Sequence, residues 1–85
     1  MPSQQSPEEQ FLNYLIASIV KNPADIRIGR SLNDMGVLLS LRVAREDMGL
    51  VIGKAGITAS AIKLLTKLAG YKNNQKVSVK IEEPN

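Results

Sequence analysis

The apolar residues of this chain change spacing three times, from helical to alternating, back to helical, and to alternating again. That succession admits few folds. Phe11, Leu12, Leu15, Ile16, Ile19 and Val20 recur at three- and four-residue steps, the mark of a helix with one apolar face. Ser6 suits its N-cap, Pro7 its first position, and Glu9 completes a Ser-x-x-Glu capping box. Asn22-Pro23 is expected to end it, and Tyr14, at the edge of the stripe, is expected to pack. Ile26 and Ile28 then alternate with Asp25, Arg27 and Gly29, with Leu32 extending the run. Asn33-Asp34-Met35-Gly36 reads as a turn in which Gly36 supplies a positive φ. Beyond it Val37, Leu39, Leu41 and Val43 share one face and Leu38, Ser40 and Arg42 the other, so the pair forms a hairpin.

Ala44 to Ile52 reads as a short helix with its acids first. Gly53-Lys54-Ala55-Gly56 interrupts it. A longer helix is expected from Ile57 to Ala69, with Ile62, Leu65, Leu68 and Ala69 on one side and Ser60, Lys63 and Lys67 on the other. Gly70 is expected as its left-handed cap. Tyr71 to Gln75 is a polar loop. Lys76 to Ile81 alternates as a last strand, with Val77, Val79 and Ile81 inward. The order α-β-β-α-α-β, with helices covering one sheet face, gives a two-layer α+β domain spanning 7–82, with tails at 1–6 and 83–85.

Eighty-five residues suffice for one core. The chain has no Cys and no His, which removes disulfides, thiolate metal sites, the commonest general base and any Ser-His or Cys-His nucleophile. Neither a metal nor a cofactor is expected, and a binding module is favoured over an enzyme. The best carboxylates, Glu46 and Asp47, are adjacent and so diverge on a helix. Apolar stretches reach about five residues, against the roughly 20 a spanning helix needs, and Met1 to Glu9 has no basic leader. A cytoplasmic protein that engages neither membranes nor small-molecule substrates is expected. The net charge is +3, but its distribution says more. From Met48 to Ile81 there is no acid, while Lys54, Lys63, Lys67, Lys72, Lys76 and Lys80 fall there. A field of one sign attracts polyanions, although solvated surface lysines read the same way.

The stretch Val51-Ile52-Gly53-Lys54-Ala55-Gly56 carries the functional signal. Two glycines three apart make a tight turn that a ligand's backbone can approach closely. Amides at the start of the following helix favour anions, and Lys54 adds a cation at the tip. A helix-loop-helix corner that merely needs glycine has the same pattern. A nucleotide-cradling P-loop fails on spacing: three residues separate Gly49 from Gly53, and Ala55 follows Lys54 where Ser or Thr is required.

This stretch, with the helix after it, resembles the K-homology (KH) signature, whose Gly-x-x-Gly loop clamps four nucleotides. The element order is similar to the type II arrangement of small bacterial single-KH RNA-binding proteins. Glu46-Asp47-Met48-Gly49 and Lys72-Asn73-Asn74 also resemble that group. Ala59 departs from the pattern, standing where the family usually has a larger aliphatic residue, which implies a shallower wall. The resemblance implies a three-stranded mixed sheet with three helices on one face. It also implies a groove for single-stranded RNA. One side would be Val51, Ile52, Gly53, Lys54, Ala55, Gly56, Ile57 and Thr58, and the other the last strand with the loop before it. Lys63, Lys72 and Lys76 would add charge, and Ser78 would present the strand's outward face. For Val51, Ile52 and Val79, core packing competes with base contact.

Post-transcriptional regulation or RNA chaperoning is the implied role, and self-association or pairing with a larger Jag-type KH-containing protein the implied assembly. Leu38, expected to face outward, is a candidate contact. Single-stranded DNA, an adaptor role, ribosome assembly and a helix-turn-helix DNA reader stay open on the residues alone.

Overall fold

The computed structural model describes residues 6–83. The proposed tails at 1–6 and 83–85 therefore lie largely outside the described residues. Ser6 and Glu83 are the exceptions, and Ser6 belongs to the first helix as its cap.

Helix α1 spans Pro7–Ala17. Its capping box is complete: Glu9 N donates to Ser6 Oγ at 3.3 Å, and Ser6 N donates to Glu9 Oε1 at 3.1 Å. The helix ends at Ala17, short of the expected Asn22-Pro23, because Ile19 N already turns back to the Ile16 carbonyl. Leu12 and Ile16 are fully buried, and Val20 reaches the core from beyond the helix. Tyr14 does not pack; it is 71% exposed, since its position points away from the Leu12–Ile16 face.

Strands β1 (Arg27–Asn33) and β2 (Gly36–Arg42) pair antiparallel, with Asn33 opposite Gly36. Gly36 takes φ 120°, as its place in the turn demands, and a Cβ there would sit 3.0 Å from the Cβ of Lys76. Val37, Leu39 and Leu41 are buried on one face of β2, while Leu38 is half-buried on the other. Strand β3 (Val77–Ile81) runs parallel to β2, so the sheet is mixed, in the order β1-β2-β3. A parallel neighbour requires a crossover, and helices α2 (Met48–Ile52) and α3 (Ile57–Lys72) supply it. Leu12, Ile16, Val51 and Ile62 from the helices meet Val37, Leu39, Leu41, Val77 and Val79 from the sheet in one core. Each such burial stabilises by about 1.5–3 kcal/mol before chain entropy is subtracted.

Helix α3 differs from expectation in length and in facing. It continues to Lys72, and Gly70 lies inside it without a positive φ. The left-handed residue is Asn74, at φ 59°. Gly70 is needed for closeness instead: a Cβ would sit 3.0 Å from both the Gln75 carbonyl oxygen and the Val77 Cβ. Ile62, Thr66 and Gly70 face the core, whereas Leu65 and Leu68 are 43% and 51% exposed. Ile62 faces inward as expected, and at Gly70 the helix comes so close to β3 that a larger side chain would not fit. Thr66 is tolerated there because its hydroxyl donates to the Ile62 carbonyl at 2.8 Å.

Candidate nucleic-acid interface

The loop between α2 and α3 takes backbone geometry that most residues avoid. Gly53 sits at φ 75°, ψ 172°, a region open essentially to glycine. A Cβ on it would also lie 2.6 Å from the Thr58 Cβ and 2.9 Å from the Thr58 nitrogen. Ala55 (φ 56°, ψ 25°) and Gly56 (φ 76°, ψ 11°) are left-handed. For Ala55 this costs about 1–2 kcal/mol. Gly56 N donates to the Gly53 carbonyl at 3.1 Å, which closes the turn. A Cβ at Gly56 would meet nothing within 4 Å, so the space beside it is open. Lys54 and Ala55 are exposed at the tip, and the first turn of α3 has no side-chain cap.

Next to the loop lies an open cleft of about 390 Å³ lined by Arg45, Met48, Gly49, Ile52 and Glu83. The first four recur at three, one and three residues, so they form a single helical stripe. Val51, on the opposite side of α2, is fully buried, which turns the stripe outward. Gly49 has neither a positive φ nor any atom within 4 Å of where its Cβ would be. Neither the backbone nor the packing requires glycine there; its smallness deepens the cleft.

Asp47 holds this helix in place. Its carboxylate is fully buried and accepts from Lys21 N at 3.2 Å, Asn22 N at 3.0 Å and Asn22 Nδ2 at 3.1 Å. Burial alone would push its carboxyl up. The backbone amides of Lys21 and Asn22, the Asn22 side chain and the Lys21 charge outweigh that and hold it below its ordinary value.

The expected site residues do not all gather here. Gly53, Lys54, Ala55 and Gly56 form the loop, with Ile57 exposed beside it and Thr58 half-buried against Gly53. Ile52 is 37% exposed and lines the cleft, whereas Val51 and Val79 belong to the core. Lys63 is exposed in the second turn of α3. Lys72 is the last residue of that helix and Lys76 lies beyond it; the 16 residues put the helix termini about 22 Å apart. Ser78 is exposed on the helix-free sheet face, since its neighbours Val77 and Val79 point to the helices. The cleft is lined by no residue of the Tyr71–Gln75 loop; Glu83, just past the end of β3, lines it. Arg45, Met48, Gly49 and Glu83 line the cleft but are not among the residues expected from the sequence. The first three are legible as a stripe with Ile52, but Glu83 is brought there only by the β3 register. Among the described residues, no three carboxylates cluster as metal ligands.

A family model described as the KH domain of KhpA/KhpB matches residues 9–81. The chain belongs to the KhpA/KhpB KH-domain family. The family match covers α1 through β3, and so includes both the loop and the α2 stripe. The "RNA-binding protein KhpA" of Clostridium perfringens is 38% identical over 73 residues, covering 86% of this chain and 97% of that protein. That of Listeria monocytogenes (strain EGD-e) is 36% identical over 75 residues, 88% of this chain and 99% of its own length. That of Bacillus subtilis is 37% identical over 73 residues, 86% and 90%. The three helices and the mixed sheet in the order α-β-β-α-α-β are consistent with that KH family over the matched residues.

Proposed function

We propose that this KH protein is a non-catalytic binder of single-stranded RNA that holds about four nucleotides across the Gly53–Gly56 loop and the α2 cleft. The observation that carries this reading is the open left-handed loop with Lys54 at its tip, preceded directly by Ile52, which lines an apolar-floored cleft. Phosphates would lie against Gly56 and the first turn of α3, and bases would turn into the cleft over Gly49 and Ile52. The bases must be unpaired to enter, which excludes a duplex. The names of the KhpA relatives support RNA as the ligand. Regulation or chaperoning of transcripts in the bacterial cytoplasm is the role that fits such a binder.

Lys54→Asp combined with Ala55→Asp tests it. Aspartate tolerates the left-handed conformation of residue 55, so the fold should survive. Affinity for a short RNA, read by fluorescence anisotropy, should fall at least about tenfold as two phosphate contacts turn repulsive. Unchanged affinity in a folded variant would count decisively against the reading.

A second reading has its own support. Leu64, Leu65, Leu68 and Tyr71 are 56%, 43%, 51% and 52% exposed along the outer face of α3. Such a stripe suits a second copy of the chain or a larger KH-containing protein, and a lone four-nucleotide module gains avidity from either. Pull-down with and without nuclease separates an adaptor, which keeps its partner after RNA is digested, from a protein joined to others only through RNA.

A further inference from the structure

The cleft beside the loop has chemistry at its mouth that phosphate binding does not use. Its floor is Met48, Gly49 and Ile52, apolar enough to receive a base. At the rim stand one cation, Arg45, and one anion, Glu83. Opposite charges lining one cleft would ordinarily pair, yet neither side chain forms an ion pair or hydrogen bond with a described residue. Neighbouring Glu82, by contrast, is engaged by Arg42 at 3.2 Å. Glu83 would repel a phosphate, but the phosphate-holding loop lies at the opposite end of α2, about 10 Å from Arg45 along the helical rise. A carboxylate in a nucleic-acid groove at that remove is suited to accepting from a base.

Resting on the RNA-binding reading above, we propose that Arg45 and Glu83 form a base-reading pair that makes this end of the cleft prefer guanine. A guanidinium offers two parallel donors and a carboxylate two acceptors. Guanine alone presents both an adjacent acceptor pair, O6 and N7, and an adjacent donor pair, N1–H and N2–H₂. Cytosine offers a single exocyclic donor, adenine sets each acceptor beside its one amino group, and uracil places its lone N–H between two acceptors. Only guanine satisfies both rim residues as forks.

Binding of the RNA hexamers UGUGUG, UAUAUA, UCUCUC and UUUUUU to the full chain, by fluorescence anisotropy, tests this. The wild type should bind UGUGUG about tenfold or more tighter than the other three, the size of one good bidentate pair. Glu83→Gln and, separately, Arg45→Met should reduce that preference to about twofold or less, read as the ratio of UGUGUG to UUUUUU affinity within each variant. Both residues are exposed, so circular dichroism should show an unchanged fold. Equal affinity for all four hexamers, or a guanine preference that survives Glu83→Gln, overturns the base-reading pair and leaves the RNA reading standing. No binding to any hexamer by the folded wild type overturns both. Free GMP should bind far more weakly than UGUGUG; comparable binding that survives Lys54→Asp with Ala55→Asp would make the ligand a soluble nucleotide and overturn the assignment to RNA.

Discussion

Glycines at 49, 53 and 56 stand within one turn of helix and one loop, and each is there for a different reason. Gly53 is fixed by backbone and by Thr58, Gly56 by its left-handed φ, and Gly49 by neither. Replacing Gly49 with alanine should therefore separate folding from binding. Helix propensity predicts a gain of up to about 1 kcal/mol in a thermal or denaturant melt. The added methyl would fill the cleft floor, and RNA affinity should fall severalfold by anisotropy. A loss of both stability and affinity would mean that the glycine serves the fold. Asp47 makes a different prediction. Its folded carboxyl titrates below the ordinary carboxylate value, so the stability it supplies is fully present above about pH 5 and is lost as the pH falls through its lowered value. Acid unfolding curves should show this loss below about pH 4, and Asp47→Asn should lower the melting temperature at neutral pH while flattening the acid limb.

Helix α3 shows what element-level packing demands. Gly70→Ala would improve propensity by about 1 kcal/mol but drive a methyl into Gln75 and Val77, and overpacking of that kind costs about 1–3 kcal/mol. The melting temperature should drop, a sign opposite to that for Gly49→Ala although both are helical glycines. This contrast marks what the sequence could show. The capping box at Ser6, the β2 alternation and the positive φ at Gly36 follow from local chemistry, and each is found where periodicity places it. The facing of α3 does not, because leucine at 65 and 68 reads as core until the closeness of β3 is known. The Gly53–Gly56 loop was legible for the same local reasons. The lining of the cleft was not, because Glu83 is brought to the same cleft as Arg45 only by the parallel register of two strands and a crossover.

Across the whole molecule, the six lysines of the acid-free segment are spread from the loop along α3 to β3 and do not gather in one place. Lys54 and Lys63 lie towards the loop end, while Lys72 closes the far end of α3 and Lys76 lies beyond it. Single-stranded binding weakens with salt by about 0.7 logarithmic units for each phosphate neutralised. A tetranucleotide meeting only the first pair should show a slope near −1.4 that Lys72→Gln with Lys76→Gln leaves unchanged. A 12-nucleotide strand long enough to reach the far pair should show a steeper slope, and the double variant should flatten it by about 1.4. Titrations at several salt concentrations distinguish these outcomes. If the far lysines govern the tetranucleotide as strongly as the long strand, the site lies elsewhere on the helix.

The strand that completes the sheet, β3, is also the last element among the described residues, and Glu83 just past its end lines the cleft. During synthesis, the loop and its lysine emerge well before that wall exists. A nascent chain on the ribosome would thus offer charge without selectivity, and base discrimination would arise only once the final strand slots in beside β2.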